Sequence, residues 1–363
     1  MAATTPQEKQ GIRKARKAGL HYVHDLNNGW SRRRCGRGFT YHSSNGKRLS
    51  GKSTLKRIEA LVIPPAWEDV RICPSSSGHL QAIGRDAKGR QQYLYHAVWT
   101  TISSATKFDR LASIGAALPK IRRRVRRDLN ARELSKERVV AAIIRLIDKA
   151  HIRVGSPAYA EDNGSHGATT LTAEQVEVDR FSISLDFPGK SGRQTEVSIT
   201  DKKVAGVIRK CEEIDGQFLF CYRDDTDNYR SVSSSDVNEY LQEVTNEVLT
   251  AKDFRTWSGS VIALKYLKAG LDESSEESPS RNNEKGTVAK KLITKAIKRT
   301  AEEMGHTVAV CRQSYIHPGL LAAVETGTLR ALLEKYESSG RAIPDELTRD
   351  EDQFLAILPA ISG

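Results

Sequence analysis

The fourteen residues Gly305-His-Thr-Val-Ala-Val-Cys-Arg-Gln-Ser-Tyr-Ile-His-Pro318 decide how this chain is read. They set His306 nine residues before Tyr315, with Arg312 between them. A lone tyrosine is ordinarily structural. One that shares a short segment with a histidine becomes a candidate nucleophile when further cations stand in matching contexts elsewhere. Three do: Arg153 in Ile152-Arg-Val-Gly155, Lys190 in Phe187-Pro-Gly-Lys190 and Arg255 in Lys252-Asp-Phe-Arg-Thr-Trp257.

The rest of the chain suits such a site. Its 363 residues, 38% hydrophobic and 28% charged, are enough for a sizeable core and about two domains. No run approaches the roughly 18 apolar residues of a membrane span. Residues 1–17 lack the apolar stretch of a secretion signal. Their basic character would also suit a transit peptide, but it continues well past them, so a cytoplasmic protein is expected. The five cysteines are scattered, odd in number and without a C-x-x-C pair. That argues for a reducing compartment and against a disulfide framework or a cysteine metal site.

The formal charge is +12, and its location says more than its total. Residues 1–60 carry fourteen Lys/Arg against three Asp/Glu, and residues 120–138 carry nine against three. Either block could be a solvated surface. Together they favour a polyanion partner, most often nucleic acid. The runs at residues 32–34 and 122–127 are expected to attract phosphates without reading sequence.

Along the chain, a first block to about residue 97 alternates short extended segments with turns. Residues 80–83 and 93–95 read as strands around the turn at residues 84–90, and about eighteen residues before the block read as a flexible basic tail. From residue 98 the pattern turns helical. Lys136–Ala150 places Val139, Val140, Ile143, Ile144 and Ile147 at the spacing of a half-buried helix. Residues 181–187 and 195–199 alternate as strands around Pro188-Gly189-Lys190-Ser191-Gly192, which puts Lys190 on a hairpin turn. Residues 236–249 and 287–304 read as helices, and residues 272–284 as an exposed acidic loop. The expectation is an α+β chain with domains over residues 1–97 and 98–363: a small β-rich lobe, then a larger, mainly α-helical domain with a small antiparallel sheet.

Arginines, a lysine, a histidine and a tyrosine make a complete set for attack on a phosphodiester without a metal. The pentacoordinate centre gains negative charge that fixed cations stabilise. Arginine stays charged and grips two oxygens. A phenol, ordinarily near pKa about 10, ionises more readily than serine in a cationic pocket. Lysine can protonate the leaving 5′ oxygen, and histidine can hydrogen-bond a non-bridging one.

These segments, in order, resemble the type IB DNA topoisomerases of the small bacterial and poxvirus kind, over about residues 19–333. Gly84-Arg-Asp-Ala-Lys-Gly-Arg-Gln-Gln-Tyr-Leu-Tyr95 looks like the family's DNA-contacting strand pair, and Ile63-Pro-Pro-Ala-Trp67 resembles the stretch that precedes it. Ile152-Arg-Val-Gly155, followed by Tyr159, Asn163, Ser165, Gly167, Thr170 and Leu171, looks like the segment of the first catalytic arginine. The resemblance implies Tyr315 as nucleophile, Arg153 and Arg255 as transition-state clamp, Lys190 as general acid and His306 as phosphate donor. Bacterial members often carry asparagine at the position of His306. Candidate DNA contacts are Gln81, Arg85, Lys88, Arg90, Tyr93 and Tyr95. The implied enzyme is a monomer and a C-shaped clamp on double-stranded DNA in the nucleoid. It relaxes supercoils of both signs through a 3′-phosphotyrosyl link and needs no ATP, metal or other cofactor.

Each residue also has a structural reading. Arg153 would suit a helix end, Arg255 a surface ion pair, Lys190 a solvated turn, and His306 a helix cap. Tyr93 and Tyr95 share a face that belongs either to a core or to DNA. His317 reads as structural. A tyrosine recombinase is the nearest rival, but it typically has histidine where this chain has Lys252. A non-catalytic DNA-binding relative is the other rival, and it would have no use for Tyr315 and Lys190 together.

Overall fold

The computed structural model describes residues 6–87, 89–224, 226–276 and 285–362. The chain divides into two compact units, Met1–Thr106 and Lys107–Gly363.

The first unit opens with helix α1 (Pro6–Lys17). Strands β1 (Trp30–Cys35) and β2 (Gly38–His42) lead to helix α2 (Lys52–Ala60). Strands β3 (Glu68–Ile72), β4 (Leu80–Arg85) and β5 (Gln91–Tyr95) precede helix α3 (Ala97–Asp109). The strands form one antiparallel sheet in the order β2-β1-β3-β4-β5. Ile58, Val70, Ile72 and Ala82 are its buried centre, with Trp30, Tyr41, Trp67 and Leu94 packed around them. Successive side chains of a strand point to opposite faces. On edge strand β5, Leu94 therefore turns to this core, while Tyr93 and Tyr95 remain 48% and 43% exposed.

Two expectations for this unit need correction. The basic segment expected as a flexible tail contains a helix, because its Ala15 is fully buried and Lys14 lies over the Trp99 ring. The unit also extends past residue 97. Trp99 is held edge-on to His79 at 4.5 Å and to Tyr22 at 6.4 Å, so the first turns of α3 belong with the sheet.

The second unit begins with helices α4 (Leu111–Leu129), α5 (Lys136–Ala150) and α6 (Pro157–Asn163). Strands β6 (Val176–Asp179), β7 (Ser182–Pro188) and β8 (Gln194–Thr200) form a three-stranded antiparallel sheet. Helix α7 (Lys202–Glu212), the small hairpin β9 (Cys221–Arg223) and β10 (Tyr229–Ser231), and helix α8 (Ser234–Thr245) follow. Then come helices α9 (Ala251–Glu276), α10 (Lys285–Glu303), α11 (Val308–Ser314), α12 (Pro318–Glu325), α13 (Thr328–Ser338) and α14 (Arg349–Ile361). The chain is thus α+β, as expected.

Helix α5 is more deeply placed than its spacing suggests. Ala141, Ala142 and Leu146 are buried as fully as Val139 and Ile143, because α4, α7, α8 and α9 all pack on it. The acidic segment is also shorter than expected as a loop: residues 272–276 continue α9, and residues 277–284 lie outside the described residues.

A buried ion network braces the helices that carry the site. Arg122 of α4 binds Asp148 of α5 at 2.8 Å and Glu351 of α14 at 2.7 Å. Glu351 also accepts the Trp257 indole N–H of α9 at 3.2 Å. Burial opposes charge on Arg122, but its two carboxylate partners hold it above the ordinary guanidinium value. Nearby, Arg124 and Arg127 pair with Asp128, and Arg126 with Glu346. Four of the five arginines in the run at residues 122–127 thus have carboxylate partners within the fold. Arg122 and Arg124 are the more buried members of the run, whereas Arg123, Arg126 and Arg127 are exposed.

Candidate active site

Arg153 is held by a backbone contact that tolerates no side chain opposite it. Helix α5 ends at His151 in the left-handed conformation, φ 53°, and the chain doubles back. The Arg153 carbonyl accepts from Ala168 N–H at 2.8 Å, and that of Val154 from Thr169 N–H at 2.7 Å. A Cβ on Gly167 would stand 2.6 Å from the Arg153 carbonyl oxygen, so this crossing needs glycine. His166 N–H in turn donates to the Pro188 carbonyl at 2.8 Å, tying the segment to the β7–β8 hairpin. Lys190 opens a short 3₁₀ turn on that hairpin and is exposed.

Arg255 lies on the second turn of α9 and is 5% exposed. His306 is set by the end of α10. Gly305, φ +66°, lets His306 N–H reach the Ala301 carbonyl at 2.7 Å and Gly305 N–H the Glu302 carbonyl at 3.2 Å. This paired C-terminal cap delivers the residue after the glycine in a fixed direction. Tyr315 ends α11, and the Thr307 side chain caps the start of that helix. Ser260 of α9 donates to the Tyr315 carbonyl and accepts from His317 N–H, at 3.1 and 3.0 Å. His317 caps α12 by accepting from Gly319 N–H, the structural role expected for it.

The four elements bring Arg153, Arg255, His306 and Tyr315 together. The His306 and Tyr315 rings stack at 4.2 Å and 13°. The Arg255 guanidinium is 2.6 Å from His306 Nε2 and 5.6 Å from the Tyr315 ring centroid. A guanidinium nitrogen of Arg153 is 3.4 Å from His306 Nδ1. Arg153 and Arg255 also border a cavity of about 270 Å³, lined further by His166, Gly189 and Arg193. Lys190 is outside this wall. Among the described residues no group of three or more His, Cys, Asp or Glu could hold a metal ion. No described helix is long and apolar enough to cross a membrane.

The electrostatics follow from like charges in a half-dry space. Burial, Arg255 and Arg153 push His306 down to about 3, so the imidazole is neutral. Burial and Arg153 push Arg255 down to about 10, still a cation at neutral pH. Burial alone would raise the Tyr315 phenol, but Arg255, Arg153 and Lys107 outweigh it and hold it below its ordinary value. A neutral imidazole has one N–H and one lone pair. Both His306 nitrogens face guanidinium groups, so in either tautomer one N–H points at another donor. An anion seated between them would accept from all three.

Sequence reasoning missed Lys107 and Arg193. The Lys107 ammonium is 4.7 Å from the Tyr315 ring centroid, although the chain positions are far apart. No local motif marks it. Arg193 had a weaker signal, three residues after Lys190 on the same hairpin.

In the first unit, Gln81 corrects an expectation. It is 3% exposed; its amide donates to the carbonyls of Ser75, Ser76 and Gly78 and accepts from Arg57. It holds a loop and has no donor left for DNA. Arg90 is paired with Asp86 at 2.7 Å. Arg85 is exposed and donates to the Gly89 carbonyl. Tyr93 and Tyr95 stack at 6.2 Å on the open face, so they are not core. Lys88 lies outside the described residues. Arg32 is also structural, donating to the carbonyls of Ile63, Pro64 and Trp67, whereas Arg33 and Arg34 are exposed.

Comparison with known proteins shows the family of the chain. The eukaryotic DNA topoisomerase I catalytic core family matches residues 97–336, and the bacterial DNA topoisomerase IB N-terminal domain matches residues 38–86. The chain belongs to the type IB DNA topoisomerase family. DNA topoisomerase 1B of Acanthamoeba polyphaga mimivirus is 32% identical over 280 residues, 76% of this chain and 81% of the viral one. DNA topoisomerase 1B of Vaccinia virus (strain Copenhagen) is 22% identical over 270 residues, 74% and 77% of the two chains. A solved XerH site-specific recombinase bound to palindromic difH substrate overlays weakly, with TM-score 0.35 and 12% identity over 59% of this chain and 51% of its own.

Proposed function

We propose that this topoisomerase relaxes positive and negative supercoils through a transient 3′-phosphotyrosyl link at Tyr315. The observation that carries the proposal is the convergence of the Arg153 and Arg255 guanidinium groups on the two ring nitrogens of His306, beside Tyr315. A scissile phosphate seated there would satisfy all three. The Tyr315 oxygen then bonds to phosphorus, its proton leaves to water, and the bond from phosphorus to the 5′ oxygen breaks. Lys190 gives a proton to that departing oxygen. Arg153 and Arg255 balance the charge gained by the non-bridging oxygens.

The duplex swivels about the intact strand, and the 5′-hydroxyl reverses the reaction. The phosphotyrosyl bond conserves the energy of the broken one, so no step calls for ATP or a metal. The site-bearing unit and the basic first unit, with Tyr93, Tyr95 and Arg85 as its DNA contacts, close on duplex DNA as a C-shaped clamp. The enzyme acts as a nucleoid-associated monomer in the cytoplasm.

The test is relaxation of positively and negatively supercoiled plasmid in EDTA without ATP, beside Tyr315→Phe. Wild type should relax both and leave a denaturant-resistant DNA adduct; the variant should bind but do neither. Wild-type binding without relaxation would overturn the proposal. Activity confined to plasmids with paired sites would put a recombinase ahead.

A further inference from the structure

Lys107 stands near the end of α3 and is the first residue of the second unit. Its ammonium donates to the Ser314 carbonyl, the last residue of α11 and the one before Tyr315. The same nitrogen lies over the Tyr315 ring, 4.7 Å from its centroid, and 5.5 Å from that of Phe108. Asp253, the carboxylate whose charge acts on it, is engaged by Arg110 at 3.0 Å. The cation is thus half-buried, aromatic-faced and bonded to a carbonyl at a helix end, where positive charge is favoured.

We propose that Lys107 is a positioning residue for the nucleophile: it anchors the end of α11 and favours the ionised form of the Tyr315 phenol. The inference rests on the tyrosyl reading above. The charged or titratable groups facing Tyr315 are Arg255 from α9, Arg153 from the segment after α5, His306 from the α10 cap and Lys107 from α3. Arg153 and Arg255 also face His306 and border the cavity, so a bound phosphate would draw on both. Lys107 contacts the main chain and the ring, and its charge stays with the tyrosine. Burial lowers the tendency of Lys107 itself to be charged, while Tyr315 and Asp253 oppose that, so lysine and phenol support each other's ionised forms.

The test uses the full chain with tyrosines labelled with ¹³C at Cζ. Tyr315→Phe assigns the Tyr315 resonance, which is then titrated in wild type, Lys107→Met and Lys107→Arg. In Lys107→Met the phenol should titrate about one pH unit higher, and single-turnover DNA cleavage at saturating DNA should be about tenfold slower on its rising limb. Lys107→Arg should restore both. DNA affinity measured in the Tyr315→Phe background should not change when Lys107 is replaced by Met. If Lys107→Met does not melt cooperatively, Lys107→Gln carries the same titration. An unmoved Tyr315 titration overturns the proposal. So does a pH-independent loss of cleavage that follows weaker DNA binding, which would make Lys107 a DNA contact. A covalent adduct formed by Tyr315→Phe would sink the tyrosyl reading instead, and the two failures are distinct.

Discussion

The imidazole of His306 lies flat on the ring of Tyr315, 4.2 Å away and 13° from parallel. Each ring is aimed by its own helix terminus, His306 by the cap of α10 and Tyr315 by the end of α11. The histidine therefore braces the Tyr315 ring sideways while its two nitrogens face Arg153 and Arg255. His306→Ala should slow cleavage about 100-fold, since a donor to developing charge and a ring support are lost together. His306→Asn keeps a donor without the stack and should lose about tenfold or less. Single-turnover cleavage of a labelled duplex measures both.

The same histidine makes the fold acid-sensitive. Its folded value is about 3 against 6.5 for an ordinary histidine. Between those values the unfolded chain binds the proton and the folded one does not, so stability falls as pH drops through that window. Thermal melts from pH 7 to pH 4 should show this loss, and His306→Asn should lessen it.

Sulfate or phosphate should raise the melting temperature of the DNA-free protein more than chloride at equal ionic strength, because they bind the folded cluster selectively. Arg153→Ala should blunt that response and slow cleavage at least 100-fold. An equal effect of all salts in both proteins would contradict an anion seat at Arg153.

Gly259 of α9 faces the main chain of Tyr315. A Cβ there would lie 2.8 Å from both the Cβ and the carbonyl oxygen of Tyr315, and 3.0 Å from the Met304 sulfur. Gly259→Ala should displace Tyr315, cost about 1–3 kcal/mol of stability and slow cleavage more than it weakens DNA binding. A urea melt and a cleavage assay separate the effects.

Tyr93 and Gln81 should behave in opposite ways. Tyr93→Ala removes an exposed ring and should weaken DNA binding with little change in the melt. Gln81→Ala removes the amide donor to the Ser76 and Gly78 carbonyls and the acceptor for Arg57, and should cost about 1–3 kcal/mol, with affinity retained by the folded protein. Filter binding and calorimetry distinguish them.

The sequence carried the site further than it carried the surface. The meeting of Arg153, Arg255, His306 and Tyr315 was legible because attack on a phosphodiester would constrain residue type and local spacing. The hairpin around Lys190 was legible because its Pro-Gly turn interrupts two alternating runs. Lys107 was not, since its link to Ser314 joins positions 207 residues apart. The ion pairs of the basic run at residues 122–127 were not legible because charge counted along a chain omits its partners: Asp148, Glu346 and Glu351 come from α5, the loop before α14 and α14. Gln81 misled for a related reason, as alternation identifies a face but not which face a loop will cover.

Lys190 stands exposed on its turn while the residues that would attack are already assembled. If it is the proton donor, the cutting machinery is half set in the absence of substrate, and the missing half arrives only when that turn settles against a strand. A stray water or short phosphate in the cluster would meet positive charge but no acid to release an alcohol. Fidelity of breakage would then reside in a moving turn rather than in the pocket, and stiffening or shortening that turn would change how often DNA is cut without altering how it is held.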